Sequence, residues 1–134
     1  MTWIGWRAVT EAILLAERIE VIERGYEFLL AYAAQGRQDD SGTEVRDTLE
    51  RMHTALTGMQ GSLWAAFSTL SPLTGARDFI DTVERDVLAA RGAIGLVHSR
   101  ARISSLLVDN LNASVHLRAL LTDLFLIEQA LKVE

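Results

Sequence analysis

The sequence predicts an all-α protein, an antiparallel up-down-up-down four-helix bundle. Apolar residues recur at alternating spacings of four and three through nearly the whole chain, which keeps one face of a helix apolar turn after turn. Short segments interrupt the stripes, and short connections favour antiparallel neighbours. No apolar–polar alternation bounded by turn residues competes for a strand.

The first stripe is Ala8, Ala12, Leu15, Ile19, Ile22, Tyr26, Leu29 and Ala33. Gly36 beside Arg37 suits a helix C-terminus, so the first helix is predicted over 3–36. A polar loop, Gln38 to Gly42, follows. Ser41 and Glu44 have capping-box spacing and open a second helix over 41–70. Its stripe is Val45, Leu49, Met52, Leu56, Met59, Leu63, Ala66 and Leu70. Ser71-Pro72 reads as an N-cap followed by proline at the first helical position. A third helix over 72–103 then carries Ala76, Ile80, Val83, Val87, Ala90, Ile94, Val97 and Ala101. Asp78, Asp81 and Glu84 near its start and Arg100 and Arg102 near its end complement the helix dipole. The fourth helix, over 105–133, carries Leu106, Asn110, Ala113, Leu117, Leu120, Leu124, Ile127 and Leu131. The turn before it holds neither glycine nor proline. Breaks at Gly92–Gly95 or Asp109–Asn112 would also serve, and matching the helix lengths places it near Ile103 to Ser105.

The chain has 134 residues, 49% of them hydrophobic, a net charge of −5 and no cysteine. That suits one domain spanning 1–134, with a core that needs neither disulfides nor thiolate-bound metal. An acidic balance argues against a nucleic-acid partner, because phosphate contacts want a basic face. The apolar run before Glu17, Ala12 to Ala16, is only five residues long, too short for a signal-peptide core. The stretch free of Asp, Glu, Lys and Arg, Met52 to Ala76, contains His53, Gln60, Pro72 and many Ser and Thr, which argues against a spanning helix. No membrane span and a cytoplasmic location are expected.

Chemistry-bearing patterns are sparse. Glu50-x-x-His53 has the spacing of a carboxylate-bridged di-metal site, and Glu23 and His116 fall near the same level of an antiparallel bundle. A second Glu-x-x-His is missing: the matching positions are Ala113 before His116 and Gly95 before His98. The expectation is therefore no metal and no cofactor. Arg91, His98, Arg100 and Arg102 form the one basic stretch, a candidate anion patch and equally a complement to a helix C-terminus. An Arg-x6-His spacing occurs twice, at Arg46–His53 and Arg91–His98, and is similar to that of the helical ribonucleases of the HEPN type. The likeness covers two residues each time, which twelve arginines and three histidines produce by chance. Fingerprints for a nucleophile elbow, a P-loop or a dinucleotide site are absent from the sequence. Gly58-x-x-Gly61 and Gly92-x-x-Gly95 read as patches where helices, or another chain, approach closely.

One end departs from an ordinary monomeric bundle. Trp3, Ile4, Trp6, Val9, Ile13, Leu14 and Leu15 are apolar nearly all round the first helix, as Leu124 to Ile127 are round the fourth. A helix apolar on every face is buried on every face. The expected function is therefore non-enzymatic association, as a homodimer or a small subunit of a larger assembly, anchored by Trp3, Trp6, Trp64, Phe67 and Phe125. The competing expectation is a metal- or phosphate-dependent enzyme or ligand carrier at Glu50, His53 and His116.

Overall fold

The structure, a computed structural model, describes the backbone of residues 3–70 and 76–131 and the side chains of 13–68 and 76–131. The described residues form six helices and no strand: α1 Trp3–Ala33, α2 Val45–Thr57, α3 Met59–Leu70, α4 Arg77–His98, α5 Ser105–Ala113 and α6 Val115–Ala130. The all-α expectation holds. Six helices stand in place of the predicted four, because the second and fourth are each broken, at Gly58 and at Ser114.

The two breaks differ in kind. Gly58 stays close to helical, with φ −103° and ψ 3°. The apolar phase therefore runs through it: Val45, Leu49, Met52, Leu56, Met59, Leu63 and Ala66 are all buried. A Cβ at Gly58 would collide with the guanidinium of Arg18. That group donates from Nε to Ser62 Oγ (2.9 Å) and from Nη1 to the Ala55 carbonyl (3.1 Å), bracing the kink from α1. Ser114 is fully extended, with ψ 144°, and its hydroxyl caps α6 at the Leu117 amide. An extended residue resets the helical phase. In α5 the buried positions are Ser105, Val108, Leu111 and Asn112, whereas Leu106, 70% exposed, and Asn110 and Ala113 face out. From Leu117 to Ile127 the predicted stripe is buried again, and its last member, Leu131, is half-buried.

The third stripe holds as far as Val97; its last member, Ala101, lies beyond the helix and is exposed. Ile80, Val83, Val87, Ala90, Ile94 and Val97 are all buried, and α4 runs through Gly92 and Gly95. It ends at His98, before the predicted 103, and the turn occupies 99–104 with Ser104 as the N-cap of α5. The Ser71-Pro72 start lies outside the described residues. Ser41 does not cap a helix: its amide donates to Asp39 Oδ1, and α2 begins only at Val45. Gly36 adopts φ +67°, the left-handed turn expected after the first helix.

α1 packs against α2, α3 and α5, and α4 against α2, α3 and α6. Gly25 sits opposite Met52, where a Cβ would come within 2.5 Å of the methionine Cγ and Sδ, so its lack of a side chain sets the closeness of α1 and α2. Gly25 is not among the close approaches the sequence predicts, and the predicted ones fail in part. Gly61 and Gly92 face open space, and Gly95 makes only ordinary contact with His53.

One end is tied by polar groups. Tyr32, buried on α1, donates its hydroxyl to the carbonyls of Ile103 (2.5 Å) and Asp39 (3.1 Å). Ser105 Oγ donates to the Tyr32 carbonyl and accepts from the Arg37 amide. Asp40 accepts from the Ile103 amide (3.0 Å) and from Arg46 Nε (3.1 Å). The two terminal nitrogens of Arg46 donate to the carbonyls of His98 (2.8 Å), the last residue of α4, and of Arg100 (3.0 Å), just beyond it.

Candidate interaction surface

Burial separates the five predicted anchors. Phe67 is 7% exposed and belongs to the core, so it is not free to meet a partner. Trp64 is half-buried against that core, with the Arg77 guanidinium 5.6 Å from its ring centroid, a cation–π contact between α3 and the start of α4. Phe125 is 52% exposed on α6, beside the exposed Leu126. The side chains of Trp3 and Trp6 lie outside the described residues. Both Phe67 and Phe125 stand one position after a stripe residue, Ala66 and Leu124, yet the first is buried and the second exposed, so the neighbouring helices and not the stripe decide between them.

Exposed large apolar side chains occur on several helices. They are Ile13, Leu14, Val21 and Leu30 on α1, Leu88 and Leu96 on α4, Leu106 on α5, and Val115, Phe125 and Leu126 on α6. On α1 they border a groove against α2. Leu14, Glu17, Arg18 and Val21 form one wall; Asp47, Glu50, Arg51, Thr54 and Ala55 form the other, around about 650 Å³. A shallower stretch of about 350 Å³ continues it past Arg24, Gly25 and Phe28, sharing Val21 and Arg51. Sequence reasoning assigned α1 a single core stripe. The signal for the groove was a second stripe, Leu14, Arg18, Val21, Gly25 and Phe28, one residue behind the buried one.

The metal candidates are dispersed. Glu50 lines the α1/α2 groove. His53, half-buried, turns toward Gly95 on α4, where an added Cβ would lie 3.7 Å from its ring. His116 is exposed in the first turn of α6. Glu23 faces Glu128 of α6, and burial with the neighbouring Glu128, Glu27 and Glu20 pushes its carboxyl above the usual range. Among the described residues no group of three or more His, Asp or Glu side chains is placed to hold a metal ion.

The anion candidates are likewise divided. Arg100 and Arg102 are exposed and border a polar groove of about 700 Å³ with Ser99, Ser41 and Arg46. Asp39 and Asp40 stand in the same groove and oppose their charge. Arg91 is half-buried further back along α4, and His98 takes part through its backbone carbonyl. The groove is thus first a structural clasp. Asp40 is held below the usual carboxylate range by the Ile103 amide and by Arg46.

Sequence reasoning also missed a second acid pair. Asp123 on α6 meets Asp86 on α4, and burial together with that neighbour raises its pKa to about 7. Residues on separate helices, thirty-seven positions apart, give no local signal. No described helix is long and apolar enough to cross a membrane. In comparisons with protein-family models, curated proteins and solved structures, nothing matches the chain.

Proposed function

We propose that this chain is a non-enzymatic helical protein that acts through protein–protein association, as a homo-oligomer or a small subunit of a larger assembly. In this reading the six helices form four antiparallel arms, with α2–α3 and α5–α6 as broken arms, and the setting is the cytoplasm. The observation that carries it is the set of large apolar side chains left exposed on α1, α4, α5 and α6, led by Leu14, Val21, Leu96, Phe125 and Leu126. At about 25 cal/mol per Å2, covering even a few hundred Å2 of such surface favours association by several kcal/mol. The net charge of −5 favours solubility without shielding these faces.

Static light scattering over a wide range of concentration tests the reading. The expected result is a mass above that of one chain which falls on dilution, and a lower mass at the same concentrations for the double variant Val21→Glu, Phe125→Glu. A monomer at every concentration, unchanged by those substitutions and binding no protein partner, overturns it.

A further inference from the structure

We propose that α6 is a proton-gated arm of the fold: it seats against α1 and α4 while the carboxyl pairs on its two sides share protons, and it swings out at Ser114 when they lose them. This holds for a single chain, whether or not the chain associates.

The anchoring on either side of Ser114 supplies the first argument. Up to the end of α5 the chain is tied across the fold. Ser105 Oγ donates to the Tyr32 carbonyl, the Ser105 amide to the Arg37 carbonyl, and Asn112 Nδ2 to the Leu29 carbonyl (3.1 Å). Two residues after Asn112, Ser114 is extended and separates the two helices. Beyond it, among the described residues, no ion pair and no hydrogen bond between complementary groups ties α6 to α1 or α4. Its buried side chains, Leu117, Leu120, Leu121, Leu124 and Ile127, hold it by apolar contact. Residues at the end of an element, such as Ser114, are where a rigid helix turns.

Charge placement supplies the second argument. Asp123 and Glu128 stand five residues apart, about 140° round a helix of 3.6 residues per turn, on opposite sides of Leu124. Each meets an acid of the neighbouring helix on its own side: Asp123 meets Asp86 of α4, and Glu128 meets Glu23 of α1. Glu20 and Glu27 add negative charge around Glu23, and Arg24 of α1 is exposed and paired with Glu20 at 2.7 Å. Among the described residues α4, α5 and α6 bring no basic side chain to either pair. Oδ2 of Asp123 and Oε1 of Glu128 are buried without a partner. Such pairs tolerate burial while one member holds a proton; with both ionised, like charges repel on both sides of the arm. Burial and Asp86 raise the Asp123 carboxyl to about 7, so seating weakens as the pH rises through 7.

Hydrogen exchange of the full chain at low concentration, at pH 5 and pH 8 and corrected for intrinsic exchange rates, tests the proposal. Protection over 115–130 is expected to fall about tenfold or more at the higher pH, while α2 and α4 keep theirs. The double variant Asp123→Asn, Glu128→Gln keeps the side-chain shapes without the charge, and its α6 is expected to be equally protected at both pH values. Asp86→Asn, which leaves α6 itself unaltered, is expected to shrink the response in the same direction. Equal protection of α6 at pH 5 and pH 8 in the parent chain, equal losses in α2, α4 and α6, or an undiminished response in the variants each overturns the proposal.

Discussion

Two polar regions of the molecule meet burial in opposite ways. Where the 34–44 loop meets the 99–104 turn, Tyr32, Asp40, Arg46 and Ser105 find complementary partners, and donors meet acceptors across long stretches of chain. Along α6, acids face acids: Asp123 opposes Asp86, and Glu128 opposes Glu23. Oδ2 of Asp123 and Oε1 of Glu128 are buried without a hydrogen-bond partner. Two carboxyls can share a hydrogen bond only while one holds a proton. The first region therefore fixes the fold at neutral pH, and the second makes the seating of α6 depend on pH.

The largest expected effect breaks the first region. Asp40→Ala leaves the buried Ile103 amide without its acceptor and the Arg46 guanidinium without its counter-charge. Charge-assisted hydrogen bonds contribute about 1.5–3 kcal/mol each, so a loss of about 3 kcal/mol in urea unfolding is expected. A loss below about 0.5 kcal/mol would show the clasp to be decoration.

The second region sharpens the contrast through pH. Asp123 titrates near 7 in the folded chain against an ordinary 3.8, so the folded state holds the proton more tightly than the unfolded. Its stabilising contribution is complete below about pH 4 and fades as pH rises through 7. The raised pKa of Glu23 acts with the same sign. Asp40, lowered from 3.8, acts oppositely and loses its contribution as pH falls below the ordinary value. Stability is thus expected to be greatest in mildly acid solution and to decline toward pH 8. Asp123→Asn should remove most of that decline and add about 1 kcal/mol at pH 8, because a neutral amide both donates and accepts. Thermal unfolding at pH 5 and pH 8 checks this; equal stabilities in the parent chain would refute it.

The same contrast explains how much of the molecule was legible in its sequence. The buried faces of α2, α3 and α4 follow directly from the four-three repeat, because Gly58, Gly92 and Gly95 leave the helical phase intact. α5 was misread because one extended residue, Ser114, resets that phase, and nothing in a stripe of leucines signals where a serine will cap. The clasp was invisible for a different reason. Asp40 and Ile103 are sixty-three residues apart, and only tertiary packing selects them. Among the proposed anchors, Phe67 went to the core and Phe125 to the surface. Residue type and position against the stripe rated both alike, and only tertiary packing separates them.

The central claim is that exposed apolar helix faces, and not the polar clasp, are where this chain meets another protein. Hydrogen exchange followed at increasing protein concentration tests it most directly, since association protects only the segments it covers. The account predicts slower exchange in a helix that carries such a face, α1, α4, α5 or α6, as concentration rises, with no change over 34–44 and 99–104. Exchange identical at all concentrations in every helix, or protection confined to those loops, would contradict it.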